Sequence, residues 1–458
     1  MDQANSAAKI GLAGRAFRGL MGAGLLVTLA ANLPGHLSLD SVVALTEART
    51  DVRQTWAPAI MSGLMKPFDA VVAGTGLYVA ASATLLFVSL MSLVRLRGRA
   101  SWLAVVLGGL AIATPQILIY QGIVWRDVIF ANLTIAGFIC LAHAARRWRT
   151  KPAWALLAGA EVCLALAALE RQNGLILSLA AAAAVAWTVR GRGWGKSLGW
   201  GLGVLAVAAL LAAAFDHLAQ PSSTPSKLRL RSATLILQHY DIIGAKAHHP
   251  ALRMTAIGKA DPGAEARLER DAARYYSAAR VDTLDWDDSF RQTLWHIPDS
   301  AMNAQWRDVI LHEPAAYVLQ RGDVFRWVLA TPKLDQCLPI VVGVSGPDAM
   351  LRDLNLVTGE DNQDRALGAY AQRFFGTPVF SHLTWLTVAL AVAGVLLLRR
   401  DPADWIVIAL LAGTITWVFS FAVIAVACDY RYLYLLDLAA MVGVLYAALD
   451  PPWRRRAG

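Results

Sequence analysis

Ionisable side chains stand beside aromatic or amide side chains in the short polar segments that separate long apolar runs. Four of these segments contain Asp40, Trp125-Arg126-Asp127, Arg171-Gln-Asn173 and Arg431-Tyr432. A carboxylate is the form that a general base needs, and the arginine fork binds two phosphate oxygens at once. If these segments lie at one depth, we expect a carboxylate base beside an anion site.

Each of these residues also has an ordinary structural interpretation. Asp40 and Asp127 precede apolar helical runs, so each is also interpreted as a helix N-cap. The two roles are compatible, because a helix N-terminus favours the carboxylate form. Taken singly, Arg126, Arg171 and Arg431 are residues that snorkel to the membrane interface; together, three arginines at one depth predict an anion site.

Long apolar runs separate these segments. The chain has 458 residues, of which 57% are hydrophobic and only 16% charged, against about 25% charged in ordinary soluble domains. Runs long enough to cross a hydrocarbon core must be helical, since lipid satisfies no backbone group. The sequence therefore predicts an all-α polytopic membrane protein. The ten predicted spans are Phe17–Asn32, Ala70–Val94, Trp102–Leu118, Asp127–Ala144, Trp154–Leu169, Gly174–Val189, Ser197–Phe215, Phe380–Leu398, Trp405–Ala427 and Tyr432–Leu449.

The net charge of +9 is distributed as an insertion signal rather than as a nucleic-acid patch. Arginines and lysines are concentrated in alternate inter-span segments, and the positive-inside rule places such segments in the cytoplasm. With ten spans, both termini are then predicted to be cytoplasmic, with anionic lipid as the neighbour of the basic loops. The first span is interpreted as an uncleaved anchor, with a signal peptide as the alternative.

The predicted spans divide the chain into three parts. An N-terminal membrane domain covers 1–215, a hydrophilic and mostly helical domain covers 216–378 on the extracytoplasmic side, and a C-terminal membrane domain covers 379–458. Within the middle domain, Ala301–Tyr317 and Tyr317–Leu329 have helical spacing. Pro221–Pro225 is its predicted linker.

The first outer loop, 34–69, is too long for a tight turn. From Ser41 to Met65 it has the spacing of an amphipathic helix that lies in the headgroup plane, and Pro58 kinks this helix or divides it in two. The loop also contains Asp51 and Trp56.

Two carboxylates and four cysteines lie elsewhere. Glu161 falls near the middle of a span, where we expect a hydrogen bond to a neighbouring helix; Asp437 lies near the outer end of the last span and is expected to face a cavity. Cys140 and Cys163 lie in spans as packing residues. Cys337 and Cys428 both fall on the outer side, where a disulfide is chemically allowed, and the sequence leaves their pairing open.

The ordered set of motifs resembles the GT-C superfamily of integral-membrane glycosyltransferases. The motifs are Leu-Asp40-Ser, Trp56-Ala-Pro58, Trp125-Arg126-Asp127, Arg171-Gln-Asn173-Gly174 and Arg431-Tyr432. The stretch Gln305-Trp306 to Tyr317 is similar to the outer domain of a poorly described bacterial branch of that superfamily.

The resemblance implies a polyprenyl-phosphate sugar as donor and a bacterial inner-membrane location. It implies that Asp40 is the base, that Arg126, Arg171 and Arg431 bind the donor phosphate, and that transfer inverts the sugar. Five residues are then expected to position donor or acceptor: Asp51, Trp56, Asp127, Asn173 and Tyr432. Many relatives carry a second acid near the base that helps to bind a metal; this chain does not, which leaves divalent-metal dependence open.

The residues also leave other functions open. A transporter or lipid flippase is one alternative, although neither an internal repeat nor midplane broken helices are evident. A non-catalytic scaffold and an enzyme like an O-antigen ligase or polymerase are the others. The sugar and the acceptor, whether glycan, lipid or protein, are not specified by the sequence, and nothing in it indicates nucleic acid.

Overall fold

The computed structural model describes residues 11–52, 58–148, 153–219 and 226–451, with side chains described from residue 231 onward in the last range. Trp56, the linker Pro221–Pro225 and the chain ends lie outside these ranges. The structure is 81% helical. The described ranges contain no strand, only isolated bridges between short extended segments.

Ten α-helices precede residue 220. They are α1 (Leu12–Asn32), α2 (Leu39–Thr50), α3 (Ile60–Val71), α4 (Gly76–Arg97), α5 (Trp102–Ala113), α6 (Pro115–Leu118), α7 (Arg126–Arg147), α8 (Trp154–Glu170), α9 (Leu175–Val189) and α10 (Trp194–Ala219).

Eleven α-helices follow residue 225. They are α11 (Ser226–His248), α12 (Thr255–Ala260), α13 (Pro262–Tyr275), α14 (Asp288–His296), α15 (Asp299–His312), α16 (Pro314–Ala330), α17 (Asp348–Asp353), α18 (Asn362–Gln372), α19 (His382–Arg399), α20 (Trp405–Ile424) and α21 (Tyr434–Leu449).

Eight helices in the described ranges are long and apolar enough to cross a membrane, and nine if the bent pair α5 and α6 is one span. This pair turns by 69°, because Pro115 opens a new helix and its missing N–H cannot continue the old one. The remaining predicted span, Trp154–Leu169, falls on α8, a helix of 17 residues. The protein is therefore an all-α, multi-pass membrane protein, and each predicted span falls on a helix, with the third bent rather than straight.

Helices α7 and α21 lie at the centre of the membrane bundle. In each, 83% of the most apolar 18-residue stretch is buried. The two helices pack against each other and against α20. Asn132 on α7 holds the centre together by polar contacts: its amide exchanges two hydrogen bonds with the Gln121 amide, at 2.8 and 3.1 Å, and donates one to Ser82 on α4. Buried amides satisfied in this way fix the register of the helices that carry them.

The hydrophilic segment 226–378, called the insert here, is helical. In it α11 packs against α13, α15 and α16, and α16 packs on α20 of the membrane bundle. The two stretches with helical spacing fall on α15 and α16. The boundary between these helices lies at Glu313, where α15 has ended at His312 and α16 begins at Pro314, because proline is suited to the first position of a helix.

A disulfide joins Cys337 of the insert to Cys428, which precedes the last membrane helix. The pairing that the sequence left open is therefore made. Both cysteines are buried, at 0% and 1% exposure. The bond fixes the position of the segment that leads to Arg431 relative to the insert.

The structure corrects two expectations for acids within spans. Glu161 makes no helix–helix hydrogen bond: both of its carboxylate oxygens are buried without a partner among the described residues. Asp437 is fully buried and does not line the cavity that contains Asp40; its carboxylate lies on His382 at 2.8 Å and on the Tyr430 hydroxyl at 2.7 Å. Burying a carboxylate requires such partners.

The basic ends of the spans meet at the opposite end of the bundle from Asp40. There Arg146 donates to the carbonyl of Arg95 at 2.9 Å, and Arg97 pairs with Asp404 at 3.0 Å. Arg399 pairs with the same Asp404. Buried charge links α4 to the start of α20 at this end, and the exposed Arg146 links α7 to α4. The other end contains the candidate site.

Candidate active site

The segment that carries Asp40 is held between two other loops. His36 donates its backbone N–H to Gly122 at 2.8 Å and accepts from Val124 at 3.0 Å. On the other side Leu37 donates to Gly343 at 2.9 Å and accepts from Ser345 at 2.8 Å. The extended segment before α2 therefore has little freedom to move, and the start of α2 is fixed.

Ser38, rather than Asp40, is the N-cap of α2. Its backbone N–H donates to the Ser41 hydroxyl at 3.2 Å, and its own hydroxyl accepts from the Trp125 indole at 2.9 Å. Asp40 lies in the first helical turn with its side chain 42% exposed. The N-cap interpretation of Asp40 is therefore wrong, and its carboxylate is free to meet groups outside its own helix.

Arg431 is the partner that Asp40 meets. It lies in the 3₁₀ turn Tyr430–Leu433 and pairs with Asp40 at 2.7 Å and with Asp429 at 3.0 Å. Its guanidinium also lies over the Trp125 ring, 4.9 Å from the centroid. Planar contact with an indole and a fork toward carboxylates are both features that lysine cannot reproduce.

A second ion pair lies beside the first. Asp127, in the first turn of α7 after the N-cap Trp125, pairs with Arg171. Its other oxygen is 3.9 Å from Arg431. Asp127 is therefore not an N-cap but a link between Arg171 and Arg431.

Tyr432 separates the two arginines. Its ring lies 4.8 Å from the Arg171 guanidinium and 5.9 Å from that of Arg431. Asn173 lies in the turn after Arg171, where its amide donates to Ser420 on α20 at 2.8 Å. The aromatic ring and the amide thus position the arginines.

Several polar atoms here are buried without a hydrogen-bond partner within the described ranges. They are Nε of Arg171, Nε of Arg431 and Oδ2 of Asp127. Buried polar groups are almost always satisfied in native proteins, so each such atom requires an explanation. A bound polar group between these side chains would supply the missing partners.

A cavity of about 730 Å³ opens onto these side chains, a size in the usual range of ligand sites. Its wall on the membrane side includes Asp40, Arg126, Arg171, Arg431 and Tyr432. Arg126 makes no ion pair with any residue that the structure describes, so its charge is available to a ligand.

The electrostatics keep Asp40 ionised. Burial raises the pKa of Asp40, but the charges of Arg431, Arg126 and Arg171 outweigh it and hold the pKa below its usual value. Asp429 differs, because burial raises its pKa and Arg431 only partly offsets this. Two carboxylates on one guanidinium thus differ in proton affinity, and Asp40 keeps its charge to a lower pH than Asp429 does.

The insert positions the Arg431 turn from outside. The Cys428 N–H donates to the Ala279 carbonyl at 2.9 Å, and Arg321 donates to the carbonyl of Ala425 at 2.7 Å. Arg321 is itself paired with the buried Asp241. The segment before Arg431 is therefore held by backbone, side-chain and disulfide contacts.

A buried network fixes the same turn from within the bundle. His382 accepts from or donates to Asp437 through Nδ1, and its Nε2 lies 3.0 Å from the Tyr430 carbonyl oxygen. Its ring stacks on that of Tyr430 with centroids 3.9 Å apart. Asp437 thus acts from below the site through Tyr430, the residue before Arg431.

The sequence-predicted residues divide into three groups. The structure brings Asp40, Asp127, Arg126, Arg171, Arg431 and Tyr432 to one cavity. Asn173 lies behind the cavity wall, and Asp51 lies away from it, 61% exposed and paired with Lys66 at 2.6 Å. Trp56 is outside the described residues. The positioning roles of Asn173, Asp51 and Trp56 remain predictions.

Sequence reasoning gave no role to Asp429, although it stands two residues before Arg431. Its place beside an arginine was the available signal. It also gave no role to the insert residues that line the cavity, which include His239, Asp285 and Trp295. No sequence pattern relates that wall to Asp40. Among the described residues, no group of three or more His, Cys, Asp or Glu is arranged to hold a metal ion.

No protein-family model matches the chain, and no curated protein matches it. Among solved structures, it is similar to the archaeal oligosaccharyltransferase AglB from Archaeoglobus fulgidus in complex with an inhibitory peptide and a dolichol-phosphate, with 13% identity and a TM-score of 0.41. The match covers 96% of this chain and 51% of that one, so the chain spans about half the length of its match. A likeness this distant carries no argument about activity, and the proposal below rests on the site.

Proposed function

We propose that this chain is a membrane glycosyltransferase of the GT-C type. It moves a sugar from a polyprenyl-phosphate donor to a hydroxyl acceptor at the extracytoplasmic face of the bacterial inner membrane, with inversion at the anomeric carbon. The observation that carries the proposal is the meeting, in one cavity, of the Asp40 carboxylate and three arginines, which come from four separate loops.

The donor phosphate is assigned to the arginines. Arg126 has no ion pair in the described structure, and the Nε atoms of Arg171 and Arg431 have no hydrogen-bond partner among the described residues. A phosphate between them would supply acceptor oxygens to three guanidinium groups, and such charge-assisted bonds are the strong ones. Because phosphate is a good leaving group, stabilising its charge suffices and no acid need protonate it.

The base is assigned to Asp40. In the transfer, the acceptor oxygen forms a bond to the anomeric carbon while the bond from that carbon to the phosphate oxygen breaks. The bonding pair leaves with the phosphate, and the hydroxyl proton goes to the Asp40 carboxylate. One displacement of this kind inverts the sugar; a second carboxylate acting as nucleophile would retain it.

The orientation in the membrane is part of the proposal. The arginine-rich ends of the spans lie together at the end opposite the cavity, and the positive-inside rule assigns such ends to the cytoplasm. The domains are then a membrane domain at 1–215, an extracytoplasmic domain at 216–378 and a second membrane domain at 379–458. Both termini are cytoplasmic in this arrangement.

Binding of a short-chain polyprenyl phosphate to the protein in nanodiscs tests the phosphate assignment. We expect Arg126→Gln to weaken this binding about tenfold or more, the loss of one charged hydrogen bond, while Arg326→Gln leaves it unchanged. Arg326 is the matched control because it is 61% exposed on the insert and pairs with Asp323. Equal binding by wild type and Arg126→Gln, with both proteins monodisperse, would contradict the assignment.

A cysteine introduced on the exposed face of the insert tests the orientation. We expect an impermeant thiol reagent to label it in intact spheroplasts. Labelling only after lysis would reverse the assigned sides.

A further inference from the structure

The wall of the cavity that faces Asp40 is supplied by the insert. It includes His239 from α11, Asp282 and Asp285 from the 3₁₀ turn Val281–Asp285, and Trp295 from α14. None of these residues lies near Asp40 in the sequence, and none belongs to the proposed donor site. These residues supply two carboxylates, an imidazole and an indole. Their chemistry therefore differs from that of the arginine wall, the side of the cavity that contains Arg126, Arg171 and Arg431.

Trp295 presents an aromatic surface to the cavity. Trp295 is 45% exposed, although tryptophan has the largest side chain of the twenty amino acids and this one lines a concave site. The Asp285 carboxyl lies beside it: burial raises the pKa of Asp285, and the nearby Trp295 side chain partly offsets this. An indole held in the open in this way is suited to stack against an amphipathic ring.

His239 is the second, independent sign of a ligand. Its side chain is buried, with the residue only 4% exposed, and lines the cavity. It meets the edge of Trp295 with ring centroids 5.1 Å apart, and within the described ranges no hydrogen bond is made by either ring nitrogen. Burial lowers the pKa of His239 to about 4, so at neutral pH the imidazole has one donor and one acceptor nitrogen to offer.

We propose that this wall is the acceptor subsite and that it takes a sugar ring, so that the acceptor is a glycan. The proposal rests on the proposed function and adds the class of acceptor. The ring's apolar face stacks on Trp295, and its hydroxyls donate to Asp285 and exchange hydrogen bonds with His239. A hydroxyl at the inner edge of the ring then faces Asp40 across the cavity.

The wall suits a glycan better than a lipid. An acyl chain laid on this surface would remove two carboxylates and an imidazole from water without supplying hydrogen bonds, and burying unsatisfied polar groups is costly. A sugar hydroxyl supplies both a donor and an acceptor to each of them. A cavity of about 730 Å³ also has room for more than one sugar ring beside the donor head group.

Replacement of Trp295 by alanine and phenylalanine tests the subsite. In nanodiscs loaded with donor and an acceptor extract of the cell envelope, Trp295→Ala should raise the KM for acceptor about tenfold or more, the loss expected for truncating a central aromatic anchor. The KM for donor should not change, and Trp295→Phe should recover most of the acceptor affinity. Trp286→Ala is the matched control, because Trp286 is 75% exposed nearby and does not line the cavity.

Destruction of the acceptor separates the chemical classes. Periodate cleaves the vicinal diols of sugars, so no sugar should be transferred from the donor to periodate-treated extract. Transfer to protease-treated extract should proceed at the original rate. The inference is overturned if periodate-treated extract still accepts sugar, if protease abolishes acceptance, or if Trp295→Ala alters both KM values equally or neither. Failure of the proposed function gives a different result, since wild-type protein would then transfer no sugar from the lipid donor to any extract.

Discussion

Replacing Arg431 by lysine tests whether the fork of this side chain, and not only its charge, organises the site. Arg431 is 12% exposed and pairs with Asp40 at 2.7 Å and with Asp429 at 3.0 Å while it lies over Trp125. Lysine keeps the charge, but its single ammonium cannot hold two carboxylates in the same plane and stack on an indole.

The expected magnitude follows from these contacts. Loss of one charge-assisted hydrogen bond costs about 1.5–3 kcal/mol, which corresponds to a rate decrease of roughly 10- to 100-fold if the bond is retained in the transition state. Arg431→Gln should cost more, because it leaves Asp40, Asp429 and Asp127 facing one another without the cation. We therefore expect the order wild type, lysine variant, glutamine variant in kcat/KM for the donor.

The assay measures transfer of labelled sugar from a polyprenyl-phosphate donor by purified protein in nanodiscs, with kcat and KM determined separately. Arg326→Lys serves as the matched control, since Arg326 is exposed and pairs with Asp323 on its own helix. A lysine variant as fast as wild type, at equal protein level, would refute the role of the guanidinium fork. Equal losses in the control would show that the assay reports general damage.

Three further predictions concern the base and the contacts that position it. Because the arginines depress the pKa of Asp40, its carboxylate form, which transfer requires, is present above the lowered pKa and is lost only as the pH falls through it. The acidic limb of the pH–rate profile should therefore lie below about 3.9, the usual aspartate value. An acidic limb near neutral pH would exclude Asp40 as the base. The double variant Cys337→Ser, Cys428→Ser should lower the free energy of unfolding, measured by denaturation in detergent, by about 2–4 kcal/mol, and it should also reduce transfer. Unchanged stability would contradict the role of the disulfide in holding the segment before Arg431. Tyr430→Phe removes a hydroxyl from Asp437 at 2.7 Å and should lower kcat more than it raises donor KM, whereas a change in stability alone would make the network merely structural.

The sequence predicted the membrane bundle and much of the arginine wall. Positions of the spans follow from hydropathy, and Arg126, Arg171 and Arg431 each stand at the end of an apolar run. Because consecutive spans alternate in direction, such positions necessarily fall at one end of the bundle. Their convergence on one cavity required only that the helices pack together.

Details set by contacts distant in sequence were not predictable. The N-cap of α2 is Ser38 rather than Asp40, because Trp125 and the neighbouring extended loops fix the backbone before the helix. Asp437 looked like a cavity residue, but His382, 55 residues away in sequence, buries it. Local patterns carry no information about such partners.

The insert was the least predictable part of the site. Its helices were expected, but nothing along the chain relates Trp295 or His239 to the first loop. The disulfide of Cys337 with Cys428 and the bond from Arg321 to Ala425 bring that wall against the bundle. The tertiary arrangement therefore determined the side of the site that would face the acceptor.

Sugar transfer by Asp40→Asn is the most direct test of the central claim. The variant keeps the size of the side chain but cannot accept the acceptor proton, so transfer should fall by about 10²- to 10⁴-fold, the usual contribution of a general base, while the protein still binds a polyprenyl phosphate. Asp348→Asn, which changes an exposed acid in the first turn of another helix, should transfer sugar at the wild-type rate. Wild-type transfer by Asp40→Asn, at a normal protein level in the membrane, would contradict the account.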